Sequence, residues 1–200
     1  MQTIFDQLLA TSWIEWLGTI TGVVGVYLSI KEKVAAWLLF IACYISYVYL
    51  SWEAGLYASL KMNVVFIGIS IYGWLSWTTA ARKDGSATAI SRAPKQHLGF
   101  AIAFILCGAL LFGWGLSTYT EAFMPYIDAF AMSCAFAAQW MLSRKHLENW
   151  LCWVVADVIY VGLWAAQGYY VSVGLFAIFI ILAIKGWFEW KRLISIKATG

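Results

Sequence analysis

The residues in this chain that could do chemistry interrupt otherwise apolar sequence. Within Leu147 to Trp164, LENWLCWVVADVIYVGLW, the residues Asn149, Trp153 and Asp157 follow i, i+4, i+8 and fall on one side of a helix, with Trp150, Asp157 and Trp164 close beside them at i, i+7, i+14. An aspartate near the centre of a membrane helix costs roughly 2.5–3.5 kcal/mol on insertion scales, so this side is expected to face an internal pocket rather than lipid. There Asp157 can meet a substrate, a cation such as Lys61, or tyrosine hydroxyls. Trp153 is a full turn deeper than Asn149 and fits a stacking wall. Asn149 either binds or caps and bridges helices, and Trp150 either joins the pocket or belongs to an interfacial aromatic belt.

Other polar groups follow similar logic. Asp128, Met132, Ala135 and Gln139 follow i, i+4, i+7, i+11, which puts Gln139 on the face of Asp128 and deep in an apolar segment, as an interhelical hydrogen-bonding group or a ligand contact. Glu15 and Asp128 each stand near the start of a helix, where a carboxylate complements the helix dipole or serves as a gate or substrate contact. Asn63 is deep enough to need a partner, whereas Lys61 and Lys185 are expected to snorkel. Trp74, Trp77, Trp187 and Trp190 are expected to be interface anchors. His97 and His146 lie far apart in sequence, and the chain has no HExxH, GxSxG or glycine-rich phosphate loop, which argues against catalysis or ATP-driven transport. Cys43, Cys107, Cys134 and Cys152 are scattered singly, without metal or redox spacing, and are expected to be small core residues. No metal or cofactor is expected.

The elements that carry these residues are membrane helices. The 200 residues are 63% hydrophobic and 12% charged, with a mean hydropathy of +0.78, outside the soluble globular range. Seven apolar segments separate at Trp13–Ile30, Val34–Trp52, Leu56–Thr79, Leu98–Leu116, Pro125–Leu142, Leu147–Ala166 and Tyr169–Trp190, each near the roughly 20 residues that span a bilayer. Ala80 to His97 is the one long polar linker. The first residues carry no Lys or Arg and no clear cleavage site, so no cleavable signal peptide is expected. Lys31, Lys33, Arg82, Lys83, Arg92, Lys95, Arg144 and Lys145 all fall between segments on one side of this layout, and Lys191, Arg192 and Lys197 follow the last one. By the positive-inside rule that side is cytoplasmic, with the N-terminus outside and the C-terminus inside.

A shift of 113 residues lays Lys31–Trp77 over Arg144–Trp190 without a gap, with 14 of 47 positions identical. Trp37 meets Trp150, Tyr47 meets Tyr160, Gly55 meets Gly168, and Gly73, Trp74 and Trp77 meet Gly186, Trp187 and Trp190. The same shift pairs Glu15 with Asp128. Each unit is therefore three helices, and because both place their basic loop after the first helix, they need an odd crossing between them. The expected fold class is an all-α integral membrane protein of seven transmembrane helices, two parallel repeats plus a linking helix. The expected divisions are residues 1–79, 80–120 (loop and linking helix) and 121–200. In transporters of this kind the substrate site lies between the repeats near mid-membrane.

SWIEWLGTITGV from Ser12 onward, LYASL, IYGWLSW, the block RKHLENWLCWVVADV and the final KGWFEW resemble the PnuC family of bacterial vitamin transporters over nearly the whole chain. The resemblance implies a three-plus-one-plus-three fold like that of SWEET sugar transporters, a homotrimer in the bacterial inner membrane, and uptake of nicotinamide riboside by facilitated diffusion, with a cytoplasmic kinase trapping the product. Asn149 and Trp153 match the family's substrate-binding region, and Gln139 with Trp140 matches a recurrent pair. The types suit that ligand: an indole face attracts a cationic pyridinium, and amides can read carboxamide and ribose groups. Asn63-Val64-Val65-Phe66 and Phe40-Ile41-Ala42-Cys43 depart from the family pattern, which makes thiamine, carried by related transporters, the alternative. A non-transporting scaffold or receptor subunit is the alternative from another class.

Overall fold

In the computed structural model, which describes residues 4–83 and 89–199, the described elements are all helices, joined by short turns except between α4 and α5. A short α1 (Ile4–Ala10), not anticipated from the sequence, precedes α2 (Trp13–Ile30), α3 (Ala35–Glu53), α4 (Tyr57–Lys83), α5 (Lys95–Tyr119), α6 (Pro125–Ser143), α7 (Asn149–Gln167) and α8 (Tyr170–Thr199). Six of these, α2, α3, α4, α5, α7 and α8, are long and apolar enough to cross a membrane. The linker expected over Ala80 to His97 is shortened at both ends, because α4 runs on to Lys83 and α5 begins at Lys95. Part of that linker lies outside the described residues.

Local signals in the sequence set the helix ends. Ser12 caps α2 by accepting the Glu15 N–H at 3.2 Å, in a Ser-x-x-Glu arrangement that accounts for Glu15 locally. Pro125 opens α6, where its missing N–H costs nothing. Gly55 (φ 69°) and Gly168 (φ 80°) close α3 and α7 in the left-handed conformation that a glycine adopts without strain. Behind them the N–H groups of Leu56 and Tyr169 reach back to the carbonyls of Ser51 and Trp164 at 2.8 and 3.0 Å, the same bond at repeat-matched positions.

The chain divides into two compact units. The amino-terminal unit comprises Gln2–Ala89 with Ser143–Lys145, and the carboxy-terminal unit Ile90–Leu142 with His146–Gly200. In the first, α2 packs on α3 and α3 on α4; in the second, α7 packs on α8. One tryptophan contact recurs in both. Trp37 sits against Gly73 and meets Trp77 edge-on, with ring centroids 5.3 Å apart. Trp150 sits against Gly186 and meets Trp190 edge-on, again at 5.3 Å. Trp77 and Trp190 are therefore not the interface anchors expected of them: they are 2% and 0% exposed, enclosed by the partner indole that the glycine admits. Trp74, at 36% exposed, keeps a surface position. Cys43 and Cys134 are buried as expected, but Cys107 is exposed on α5.

The amino-terminal unit also holds a buried charge. Lys145, 3% exposed, pairs with Glu32 at 2.8 Å and lies 4.6 Å from the Trp77 ring, while the Ser143 carbonyl accepts the Trp77 indole N–H at 3.1 Å. Both ionic partners have left-handed backbones, φ 55° at Glu32 and 54° at Lys145, a conformation that costs a side-chain-bearing residue about 1–2 kcal/mol.

A methyl group at residue 186 would lie 2.5 Å from the Trp150 ring, whereas one at residue 174 would meet open space. Gly186→Ala is therefore expected to lower stability by about 1–3 kcal/mol. Gly174→Ala should leave the thermal unfolding midpoint of the detergent-solubilised protein unchanged or slightly raised.

Candidate functional site

Most of the polar residues singled out by spacing belong to α6 and α7 of the carboxy-terminal unit. α6 is as long as α3 and α7, at 19 residues each, yet it is not among the helices apolar enough to span on composition. Its chemistry explains this. From Ser133 to Leu142 every residue except Trp140 is fully buried, and the run is rich in alanine, so it needs small contacts more than lipid-soluble ones. Ser133 lies against Gly108 of α5, and Tyr126 against Gly113.

Gln139 is completely enclosed on this helix. Asp128, half-buried in the first turn of α6, accepts a hydrogen bond from the Tyr160 hydroxyl of α7. Tyr160 was not singled out by sequence, but the repeat held the signal: it matches Tyr47 as Asp128 matches Glu15. Tyr47 is hydrogen-bonded instead to Thr19, at 3.3 Å.

On α7 the predicted polar face forms, with its members in different environments. Asn149 is fully buried; its amide donates to the His146 carbonyl at 2.6 Å, and its Oδ1 has no hydrogen-bond partner. Trp153, one turn on, is half-buried and has no aromatic partner among the described residues. Asp157, one turn further, is 4% exposed and makes no hydrogen bond or ion pair among the described residues. Trp150, beside Asp157 at i, i+7, enters the α7–α8 contact instead. Asn63 belongs to the amino-terminal unit, buried on α4, with its amide donating to the Ser59 carbonyl at 2.9 Å.

The matched positions of the two repeats sharpen the contrast. Trp153 and Asp157 correspond to Phe40 and Tyr44 of α3. There Tyr44 stacks on Phe66 with centroids 4.8 Å apart and planes 12° from parallel, and Phe40 lies 6.4 Å from Tyr44. The residue matching Phe66 is Phe179, which packs instead on Phe176, itself 5.0 Å from Tyr160. One unit has filled this aromatic position from within. The other presents an indole and a carboxylate without side-chain partners.

A second cluster went unread in the sequence. His97 of α5 and His146 of the α6–α7 turn, 49 residues apart, bring Nδ1 and Nε2 to 2.9 Å, and His146 Nδ1 lies 3.4 Å from the Ser91 hydroxyl. Ser91 also accepts the Leu147 N–H at 2.9 Å, and the Glu148 carboxylate accepts the Ala93 N–H at 2.8 Å. The segment before α5 is thus clasped to the start of α7. Beneath the clasp lie Ala93, Ala101, Ala137 and Met141, with Trp140 packed against them and edge-on to His97. No group of three or more His, Cys, Asp or Glu side chains stands ready to hold a metal ion among the described residues.

A helical protein with six helices long and apolar enough to cross a membrane belongs to the class of multi-pass membrane proteins. Residues 12–192 match the family described as nicotinamide mononucleotide transporter, and the chain belongs to that family of membrane transporters. It is similar to the nicotinamide riboside transporter PnuC of Escherichia coli, 28% identical over 204 residues covering 90% of this chain and 85% of that protein. It is also similar to the riboflavin/roseoflavin transporter RibM of Streptomyces davaonensis, 24% identical over 191 residues covering 94% and 87%. Its fold matches the crystal structure of the vitamin B3 transporter PnuC with a TM-score of 0.74 at 18% identity, covering 98% of this chain and 94% of that one.

The two neighbouring tryptophans of α7 should separate in experiment. Trp150→Ala is expected to cost about 3–5 kcal/mol, seen as a large fall in thermal midpoint and in folded yield. Trp153→Ala, at a half-buried position, should fold with a much smaller loss.

Proposed function

We propose that this protein takes up nicotinamide riboside across the bacterial inner membrane by facilitated diffusion. The observation that carries the reading is the face of α7 on which the half-buried Trp153 ring and the buried Asp157 carboxylate lack side-chain partners, one and two turns from the unpaired Oδ1 of Asn149. A pyridinium stacks on an indole face and is attracted to it, and in a desolvated setting that contact contributes about 2 kcal/mol. Asp157 supplies the opposite charge, and the Asn149 carbonyl oxygen accepts from the carboxamide. Gln139 and Asn63 are the further amides assigned to the substrate, with Asp128 shaping the electrostatics of the path through Tyr160. Trp150 supports this face by anchoring α7 to α8.

In this reading the chain crosses the membrane seven times, α6 included, as two three-helix repeats, α2–α4 and α6–α8, linked by α5. The N-terminus is outside and the C-terminus cytoplasmic, because Lys and Arg gather at the connections on one side. The working assembly is a homotrimer. Net uptake is maintained by a cytoplasmic kinase that phosphorylates the riboside, since facilitated diffusion alone only equalises concentrations. The similarity to RibM favours riboflavin as the second reading, because a flat flavin ring also stacks on indole.

Equilibrium binding of nicotinamide riboside, thiamine and riboflavin to the purified protein tests the substrate. Nicotinamide riboside is expected to bind most tightly, and Trp153→Ala to weaken it by at least about tenfold, which corresponds to about 1.4 kcal/mol. Preference for riboflavin or thiamine reassigns the substrate. Accumulation of unmodified riboside in proteoliposomes that collapses with an uncoupler would sink simple facilitation.

A further inference from the structure

Between α5, α6 and α7 the carboxy-terminal unit leaves an open groove of about 280 Å³ that takes no part in the function proposed above. Ile102 and Leu106 of α5 line it with Leu151, Cys152 and Val155 of α7, and the buried Cys134 of α6 lies among them. We infer that this groove seats one acyl chain of an anionic phospholipid whose headgroup is held at the start of α5 by Lys95 and Arg92.

The lining decides the chemistry of the occupant. It consists of hydrocarbon side chains and two thiols, so nothing in it can repay a polar solute for its lost water. Ile102, Leu106, Leu151 and Val155 are 43–58% exposed, so the groove opens outward from α5 and α7. Both helices are apolar enough to span a membrane, and the medium outside them is lipid hydrocarbon. An unfilled gap forfeits dispersion contacts that a flexible chain can restore. Helical spacing puts Leu151 and Val155 on the opposite side of α7 from Trp153, so the groove is no extension of the solute face.

The charge that marks the headgroup stands in register with the groove. Lys95, Gly99, Ile102 and Leu106 follow i, i+4, i+7, i+11 and share one face of α5. Nothing lies within 4 Å of where a Cβ at Gly99 would be, so the surface between the cation and the groove is open. At about 1.5 Å per residue, Ile102 lies about 10 Å and Leu106 about 16 Å along the axis from Lys95. Half the hydrocarbon core is about 15 Å thick, so a lipid with its phosphate at Lys95 carries its chain to this depth. Lys95 and Arg92 are exposed and make no ion pair among the described residues. The carboxylate of Glu148, at the start of α7, already accepts the Ala93 N–H at 2.8 Å. Two free cations against one engaged carboxylate favour an anionic headgroup over a zwitterionic one.

The test uses the full-length protein in phosphatidylcholine nanodiscs, with a small fraction of phosphatidylglycerol carrying a diazirine midway along one acyl chain, followed by photolysis and peptide mapping. Label is expected at residues 102–106 and 151–155 in excess over Ile181, an apolar residue of α8 that is 66% exposed. Unlabelled phosphatidylglycerol should displace it about fivefold better than phosphatidylcholine does. Lys95→Gln should bring the two competitors toward parity while the thermal midpoint stays unchanged. Val155→Trp on α7 and Leu106→Trp on α5 fill the groove from two sides, and each should cut groove labelling while Ile181 labels as before. Even labelling of the groove and Ile181, or equal displacement by the two lipids in the wild type, would overturn the inference. So would an unlabelled groove whose Cys152 crosslinks to a second copy of the chain, which would make this face a protein contact.

Discussion

The constraint on which the rest of this structure depends is that helices in a bilayer gain nothing by hiding apolar surface from lipid, which is as apolar as they are. Close contact and polar pairing must hold them together instead. The chain meets this with an indole seated against a glycine, used once in each unit: Trp37 against Gly73, and Trp150 against Gly186. The missing Cβ lets a large flat ring approach a helix backbone, and a second tryptophan closes the seat edge-on. Dispersion over such a surface replaces the hydrophobic term that a soluble core would use. It also fixes the rotation of α7 about its axis, and so decides which residues face α8 and which do not.

That seat is scaffold, and the site lies beside it. With Trp150 committed to α8, the neighbouring Trp153 and Asp157 keep a ring and a carboxylate without side-chain partners. The amino-terminal repeat shows what the alternative looks like, since Phe40, Tyr44 and Phe66 fill the matching region with rings from the same unit. Two copies of one helical plan have diverged into a packed version and an unpacked one.

Much of this was legible in the sequence, and the failures have physical causes. The repeat offset of 113 residues, the helical segments and the polar stripe on α7 all rest on spacing, which a helix converts directly into geometry. Trp77 and Trp190 were misread because an indole near the end of a membrane helix looks the same in sequence whether it faces headgroups or a glycine notch. α6 is less apolar than the other long helices because its alanines, Ser133 and Gln139 are buried against protein rather than lipid. The histidine contact could not be read at all: no helical period joins residues 49 apart, and only the path of the segment before α5 brings them together.

Glu32 and Lys145 carry a consequence for the history of the chain. They occupy the same place in the two copies, share the same left-handed backbone, and bond to each other at 2.8 Å. Two identical copies would bring like charges to that contact, and the interaction would be repulsive. The attraction therefore arose only after the halves had become different sequences. A half-length ancestor pairing with itself could not have made this bond, and once it formed, neither half could stand in for the other.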